Sequence, residues 1–390
     1  MSPHSRAFHV VIIGGSFAGL TTAQELEKLT RNSNVFITVL EKREASFHTI
    51  SALRALVKPE LAEHIWIPFH RALKGCRSRI VQASVEAVYI DHVQLSSGEL
   101  LRFDYLVLAS GSSYPSPAKT DSIYIRPGVQ ETLRYSENIR AADRVLIIGG
   151  GAVGVELAGE IATAYPNKKV TLVQAAAHLL PTEYPLAFCE KVRLALQKLN
   201  VRVILNDRVV VPGCRPIRST LDPRVLYTVN GLSLTSDLQF LCVGTTVNVP
   251  YLSTLSSVPG ALLEPGDGHV KVLPTLQLTH PRLRHMFAVG DCNNTSGTKL
   301  AYTAMDQARV AAKNLQRLIE AGGGPDSVDG INLLSYKNTG GSMAITVGEF
   351  TAFNAFPFAN LIGYRDLIRK GSDLFLPKRY RELHLEYPKG

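Results

Sequence analysis

The stretch that most constrains this chain is residues 144–174, RVLIIGGGAVGVELAGEIATAYPNKKVTLVQ. It reads as strand, tight turn, helix and strand. Residues 145–148 are a short β-branched and aliphatic run suited to a buried parallel strand. Gly149, Gly151 and Gly154 then spell G-x-G-x-x-G. The first glycine permits the sharp turn, the second lets a pyrophosphate approach the backbone, and the third lets the helix pack on the strand. Residues 156–164 continue as a helix of small residues whose N-terminus offers free N–H groups to phosphate. Residues 169–173 supply the next strand, and Gln174 ends it where a ribose-reading residue belongs. A lone glycine motif is weak evidence, but here helix and both strands flank it. The stretch predicts a dinucleotide site, with a merely structural βαβ turn as the plain alternative.

A looser copy lies near the N-terminus. Residues 8–13 form an apolar strand followed by GGSFAGLTTAQELEKL, in which Gly14 and Gly19 take the outer glycine positions and Ser16 the middle one. Residues 36–40 make the next strand, and Glu41 ends it with a carboxylate able to accept both hydroxyls of an adenosine ribose. A solvated surface glutamate is the alternative. Residues 46–57 read as an apolar helical stretch carrying Arg54, 80–89 and 92–95 as hairpin strands, and 102–108 as a strand running into Ser110 and Gly111. Pro115 and Pro117 break regular structure, and 116–121 reads as a linker. Beyond residue 174 the pattern gives a helix around 189–199, a strand at 201–205, an irregular stretch at 209–224 and a buried strand at 238–243 ending in Gly244. A connection rich in proline and glycine spans 250–268, and a strand at 285–289 ends in Gly290 and Asp291. A helical run begins at Lys299, and 322–325 ends it. The Gly290–Asp291 pair also belongs to a nucleotide site. The second unit therefore reads as inserted within the first, with the late strand returning to the first sheet and aiming Asp291 at a chain of hydroxyls.

Composition narrows the remaining classes. The 390 residues are 45% hydrophobic and 19% charged, which gives room for two or three ordinary globular domains. The formal charge of +9 is spread out, and no compact basic block with interleaved aromatics appears, which argues against nucleic acid. Phosphorylated cofactors and anionic membrane surfaces remain as sources of attraction. Cys76, Cys189, Cys214, Cys242 and Cys292 form no C-x-x-C, and their odd number argues against a disulfide framework. All five read as small buried hydrophobes in a reducing compartment. No metal site is expected. The sequence shows no secretory signal, no transmembrane window and no glycine after Met1 for myristoylation, so a cytoplasmic location is expected, with peripheral contact to a lipid surface left open.

Taken in order, VVIIGGSFAGL, SFHTISALRALV, YLVLASGS, VLIIGGGAVGVELAGEI, MFAVGDC, KLAYTAMDQARVAA and the closing KGSDLFLPKRYREL resemble the two-dinucleotide-domain flavoprotein reductases. Within them the chain is most similar to the apoptosis-inducing-factor-like branch, which includes ferroptosis suppressors and the mitochondrion-associated inducer of death. Type II NADH dehydrogenases are near relatives. The resemblance spans essentially the whole chain and implies an α/β fold of glutathione-reductase type, with two Rossmann-type dinucleotide-binding domains, three-layer ββα packing and a small C-terminal segment. The implied division is an FAD-binding domain at 1–117 and 269–325, an inserted NAD(P)H-binding domain at 118–268 and a C-terminal segment at 326–390.

The resemblance also implies roles. Gly14, Gly15, Ser16, Phe17, Ala18 and Gly19 would cradle the FAD pyrophosphate, with Glu41 on the ribose, Arg54 on FAD, and Val85 meeting adenine through its backbone. Ser110, Gly111 and Gly290 would flank the cofactor, and Asp291 would hold its ribityl or pyrophosphate region. NADH or NADPH would lie across Gly149, Gly151 and Gly154, with Gln174 and Gly244 at its edges. Glu156 matches the branch's glutamate near the nicotinamide, to orient the carboxamide or to pair with Lys299, which matches the lysine beside the isoalloxazine. On residues alone, Glu156 equally well charges the first turn of a helix, and Lys299 equally well caps one. The implied activity is an FAD-dependent NAD(P)H oxidoreductase that passes a hydride to FAD and then electrons to a quinone-like acceptor. A reductase of a ferredoxin-like electron carrier, and a redox-gated interaction protein with little turnover, are the alternatives. The stretch EKREASFHTISALRA holds no cysteine, which argues against disulfide reduction. Neutral Gln174 predicts use of both nicotinamide cofactors. In the C-terminal segment Phe350, Phe353, Phe356, Phe358 and Phe375 stand among basic residues, either packing inward or lining a quinone entrance or lipid contact.

Overall fold

The computed structural model of the protein describes residues 6–115, 117–213, 217, 219–257, 262–323, 330–338, 343–349, 351–355 and 373–388. The Phe8–Ile13 strand shows why every residue but His9 in it is apolar. Val10 and Ile12 pack on Ala23 and Leu26 of the Phe17–Leu29 helix and on Leu315 and Leu318 of the Ala301–Glu320 helix. Val11 and Ile13 point the other way, into a cluster with Val88, Val93 and Leu95. Alternate residues of one strand therefore feed two cores, as in any sheet covered on both faces.

The first sheet is parallel, in the order Met286–Ala288, Tyr105–Leu108, Phe8–Ile13, Val35–Glu41, Ser78–Gln82. An antiparallel layer of Val85–Val88, His92–Leu95 and Leu100–Arg102 covers one face, and the two long helices cover the other. The second sheet runs parallel through Arg202–Ile204, Lys169–Val173, Arg144–Ile148 and Ser233–Leu241, then adds Leu221–Thr228 and Val209–Val210 antiparallel at its edge. Strand Met286–Ala288 rejoins the first sheet only after the second is complete. The two crossings between sheets meet as a short antiparallel ribbon of Ser112–Ser113 and Thr246–Val247.

Three local expectations change. Residues 80–89 do not form one hairpin arm: Ser78–Gln82 pairs parallel with Val35–Glu41, whereas Val85–Val88 belongs to the covering layer. The helical stretch at 46–57 contains a strand, Ala45–Phe47, before the shorter helix Thr49–Ala55. The irregular stretch at 209–224 holds Val209–Val210 and the start of Leu221–Thr228, whose outward side chains mask the strand pattern. A helix that the pattern does not announce, Ile125–Ala141, leads into the second sheet. Its Pro127 sits in the first turn, where no intrahelical N–H is needed, and Gly128 leaves room for the Trp66 indole, which a Cβ would overlap.

The C-terminal hairpin, Met343–Thr346 with Ala352–Ala355, places Met343, Ile345 and Val347 in the core of the second unit, with Phe353 packed against it. The Leu376–Glu382 helix docks on the first unit through Leu376, Tyr380 and Leu383. Phe350, Phe356 and Phe358 lie outside the described residues, as does Cys214. Cys76 departs from the expectation of burial: it is exposed, in the turn before Ser78–Gln82, while Cys189, Cys242 and Cys292 are buried. Among the described residues no helix is long and apolar enough to cross a membrane.

Candidate functional site

Each parallel sheet delivers a glycine turn at the C-terminal end of its central strand. Gly14 and Gly149 adopt φ values of 107° and 110°, a region open to glycine but not to other residues. Their missing side chains also leave room for the neighbouring strand: a Cβ would overlap the carbonyl oxygen of Ala109 in one case and of Cys242 in the other. Gly19 and Gly154 let helix approach strand, since a Cβ at either would overlap the carbonyl oxygen of Gly14 or Gly149. At Gly151 an added Cβ would meet nothing within 4 Å. The middle position is thus sterically open within the protein, and Ser16 occupies its counterpart in the first turn without crowding the chain.

The residue ending the second strand of each unit braces the turn. Glu41 Oε2 accepts from Gly15 N at 2.6 Å, and Oε1 accepts from Arg43 N at 2.9 Å. Gln174 Oε1 accepts from Gly150 N at 3.0 Å. Glu41 is only 6% exposed, so it is not a solvated surface residue.

A cavity of about 570 Å³ opens between the units. The first turn lines it with Gly15, Ser16, Phe17 and Ala18, joined by Glu41 and Arg43, by Ser110, Gly111 and Ser112, and by Gly290 and Asp291. The second unit contributes Val153 and Glu156 from the start of the Ala152–Ala164 helix, together with Thr245 from the returning crossing. Lys119, Thr298 and Lys299 complete the polar part of the wall, and Phe47, Ile50, Leu53 and Leu300 give it an apolar side. Gly14 and Gly19 lie beneath this wall as packing positions rather than on it. Gly149, Gly151, Gly154, Gln174 and Gly244 lie outside it, around the second turn.

Two expected residues stand apart. Arg54 is 1% exposed and does not line the cavity. Its Nε donates to both Glu160 carboxylate oxygens at 3.1 Å, and its Nη2 donates to Glu160 Oε1 at 2.6 Å and to the Gly348 carbonyl at 3.3 Å. It therefore ties together the Thr49–Ala55 helix, the second unit and the C-terminal hairpin. Burial pushes the Glu160 carboxyl up, against the opposing pull of Arg54. Val85 lies in the covering layer, also outside the cavity wall.

Glu156 and Lys299 both face the cavity but do not pair. Glu156 Oε1 accepts from the Thr346 backbone N–H and hydroxyl, each at 3.1 Å. Lys299 Nζ donates to the carbonyls of Asn293 at 2.7 Å and Thr295 at 2.8 Å, and burial lowers its pKa, partly offset by nearby Asp291. Behind it, Gln307 accepts from Gly290 N at 2.8 Å and from Asn293 Nδ2 at 2.7 Å, which fixes the Gly290–Asn293 turn. Sequence reasoning missed Arg43, Ser112, Lys119 and Thr298. Lys119 carried the least signal, because it falls in a stretch that reads as linker.

No cysteine lines the cavity among the described residues. Cys292, next to Asp291, is buried with its Sγ 3.3 Å from the carbonyls of Leu108 and Val289, and burial pushes its thiol up to about 11. It stays protonated and cannot act as a thiolate at neutral pH.

The comparisons with known proteins agree with this geometry. Residues 8–308 match the family described as pyridine nucleotide-disulphide oxidoreductase. Apoptosis-inducing factor homolog B of Dictyostelium discoideum is 30% identical over 97% of this chain and 97% of its own. The chain belongs to the apoptosis-inducing-factor-like branch of that family. Ferroptosis suppressor protein 1 of Xenopus tropicalis is 29% identical, again over 97% of both chains. Among solved structures, NDH2 from Plasmodium falciparum in complex with NADH shares the fold, with a TM-score of 0.73 at 14% identity over 98% of this chain and 96% of that one. As a member of the family the protein is an FAD-dependent oxidoreductase of NAD(P)H. The residues present fit the flavin: the cavity offers a glycine-turn helix N-terminus, a buried carboxylate at Glu41 and a second carboxylate at Asp291. The disulphide chemistry in the family's description has no counterpart in this cavity, whose wall holds no cysteine among the described residues.

Proposed function

We propose that the chain moves a hydride from NADH or NADPH, held across Gly149, Gly151 and Gly154, to FAD held at Gly14–Gly19, and then passes electrons to a small quinone-like acceptor. The observation that carries this is the single cavity running from the first glycine turn to Val153 and Glu156 on the second unit's helix. Bound FAD supplies the change from two-electron hydride chemistry to onward electron transfer.

The chain's own residues supply position and electrostatics. Backbone N–H groups at the start of the Phe17–Leu29 helix face the pyrophosphate. Glu41 uses one lone pair on each oxygen for the backbone and keeps the others for ribose hydroxyls. Gln174 turns its oxygen to Gly150 N, so its amide N–H groups are left to the nucleotide ribose, whether that bears a hydroxyl or a phosphate. Glu156 orients the nicotinamide carboxamide, and Lys299 sets positive charge beside the ring system. Arg54 acts at a distance, by clamping the units through Glu160. Residues 118–268 would form the nicotinamide-binding domain, with the flavin domain on either side.

A quinone-like acceptor is supported by the apolar wall of Phe47, Ile50, Leu53 and Leu300 and by the lack of a lining dithiol among the described residues. Peripheral contact with anionic lipid belongs to the same proposal, supported by the net charge of +9. Steady-state turnover of NADPH with short-chain quinones, a ferredoxin and oxygen as acceptors tests it. Quinone should give the highest kcat/KM; faster turnover with ferredoxin would replace the acceptor, and negligible turnover with all three would leave an interaction protein.

A further inference from the structure

A carboxylate facing a flavin cavity raises an electrostatic problem. The cofactor carries a dianionic pyrophosphate, and Asp291 stands in the same wall as the turn proposed to hold it. Four hydrogen bonds in the structure answer this. Lys119 Nζ lies 3.3 Å from Asp291 Oδ2 and donates to the Ser112 carbonyl at 2.7 Å and hydroxyl at 2.8 Å. The Ser112 hydroxyl in turn donates to Asp291 Oδ2 at 2.7 Å. Both contacts to the carboxylate fall on Oδ2, which leaves Oδ1 to accept from a ligand hydroxyl.

The lysine comes from the crossing segment that leaves the first sheet for the second, whereas Asp291 comes from the strand that returns to the first. Ser112 belongs to the ribbon joining the two crossings. The trio therefore forms only when both ends of the insertion are seated, and it sits on the cavity wall with its lysine and aspartate each about a quarter exposed (27% and 24%).

We propose that Lys119 is a positioning residue for the flavin: it neutralises Asp291, pins its Oδ2 together with Ser112, and so allows a dianionic cofactor to bind beside a carboxylate. This rests on Asp291 serving FAD, and the test separates the two. Release of FAD from the holoprotein on dilution, read by the fluorescence of free flavin, gives the affinity of each variant. Asp291→Ala should weaken FAD binding about tenfold or more, the loss of one charge-assisted hydrogen bond to a ligand. Unchanged affinity there would overturn the role of Asp291 itself.

Lys119→Met should weaken binding by about 10- to 100-fold at low salt, with the defect shrinking as salt screens the exposed carboxylate. Lys119→Arg keeps the charge and should bind within about threefold of the parent. The decisive variant is Lys119→Met/Asp291→Asn, in which the uncompensated charge is gone. It should bind FAD within about threefold of Asp291→Asn alone, a strongly non-additive cycle. A double variant as weak as the product of the two single defects would overturn the proposal, because a lysine that contacts FAD directly, or merely holds the fold, gains nothing from losing Asp291. If Lys119→Met yields no folded protein, Lys119→Gln poses the same question.

Discussion

At Gly14 and at Gly149 the chain makes the same turn. Gly14 N donates to Leu40 O and Gly149 N to Val173 O, both at 2.8 Å; Ala109 N donates to Ile13 O at 2.8 Å and Cys242 N to Ile148 O at 2.7 Å. The residue closing the second strand reaches back to the turn in both. The differences lie in chemistry. The first unit has Ser16 and a buried carboxylate, Glu41, and opens onto a shared cavity; the second has Gly151 and a neutral amide, Gln174. On the proposed reading, one backbone solution would serve two tasks: holding a retained cofactor through a charged group at its ribose, and reading an exchanging co-substrate through a neutral amide.

The largest separation between the units should come from the third glycine of each turn. Gly19→Ala forces a Cβ into the Gly14 carbonyl, and the protein should purify without flavin colour. Gly154→Ala does the same at Gly149 but should leave the protein yellow, with the NADH concentration for half-reduction raised about 100-fold or more, as expected when a pyrophosphate cradle is deformed. Colour loss in both variants would mean that the turns do not act separately.

Next in size is the clamp between them. Arg54→Met leaves Glu160 buried without its partner and should lower stability by about 3–5 kcal/mol in denaturant titration. The double variant Arg54→Met/Glu160→Leu should recover most of that, since the cost lies in the orphaned charge.

Gln174→Glu makes the second site resemble the first. A carboxylate repels a 2′-phosphate, so the ratio of kcat/KM for NADH over NADPH should rise about 100-fold. The parent protein should use both within about tenfold; a hundredfold preference for either would show that Gln174 does not set the choice.

Acid should strain the first unit selectively. His48 is buried against Ser51, near the Arg379 guanidinium, and burial lowers its pKa to about 3. Between that value and its ordinary 6.5 the unfolded chain binds a proton that the folded chain does not, so stability falls as pH drops below 6.5. At pH 5 this amounts to about 2 kcal/mol. His48→Asn should flatten the loss of thermal midpoint between pH 7 and pH 5.

The smallest effect belongs to Ser16→Gly, which restores the strict motif. Because the equivalent Cβ direction at Gly151 is open, FAD affinity should change by less than about threefold.

The nested order of the two sheets was legible because its markers are backbone necessities: glycines forced by close approach, apolar strands buried on both faces, and a late strand ending in Gly290 and Asp291. The Ile125–Ala141 helix was not, because adjacent proline and glycine do not announce a helix; the structure places Pro127 in its first turn and Gly128 beneath Trp66. The split of residues 80–89 was hidden for a related reason, since an apolar run carries no mark of where it leaves one sheet for another. On the cavity wall, Glu41 and Asp291 stood out from their places at strand ends, and Glu156 and Lys299 from the family resemblance. Lys119 and Ser112 come from crossing segments whose roles depend on which chain ends meet, and that information is tertiary. Arg54 shows the converse: the family resemblance implied a contact with FAD, and in the structure its guanidinium pairs with Glu160.

Anaerobic mixing of the flavin-loaded protein with NADH or NADPH, followed by the visible absorbance of the flavin, tests directly whether the second turn delivers hydride to the first. Both nucleotides should bleach the flavin fully, at rates within about tenfold of each other, and Gly154→Ala should slow the bleaching at sub-saturating nucleotide. A flavin that stays oxidised under saturating nucleotide would contradict the transfer of hydride across the shared cavity.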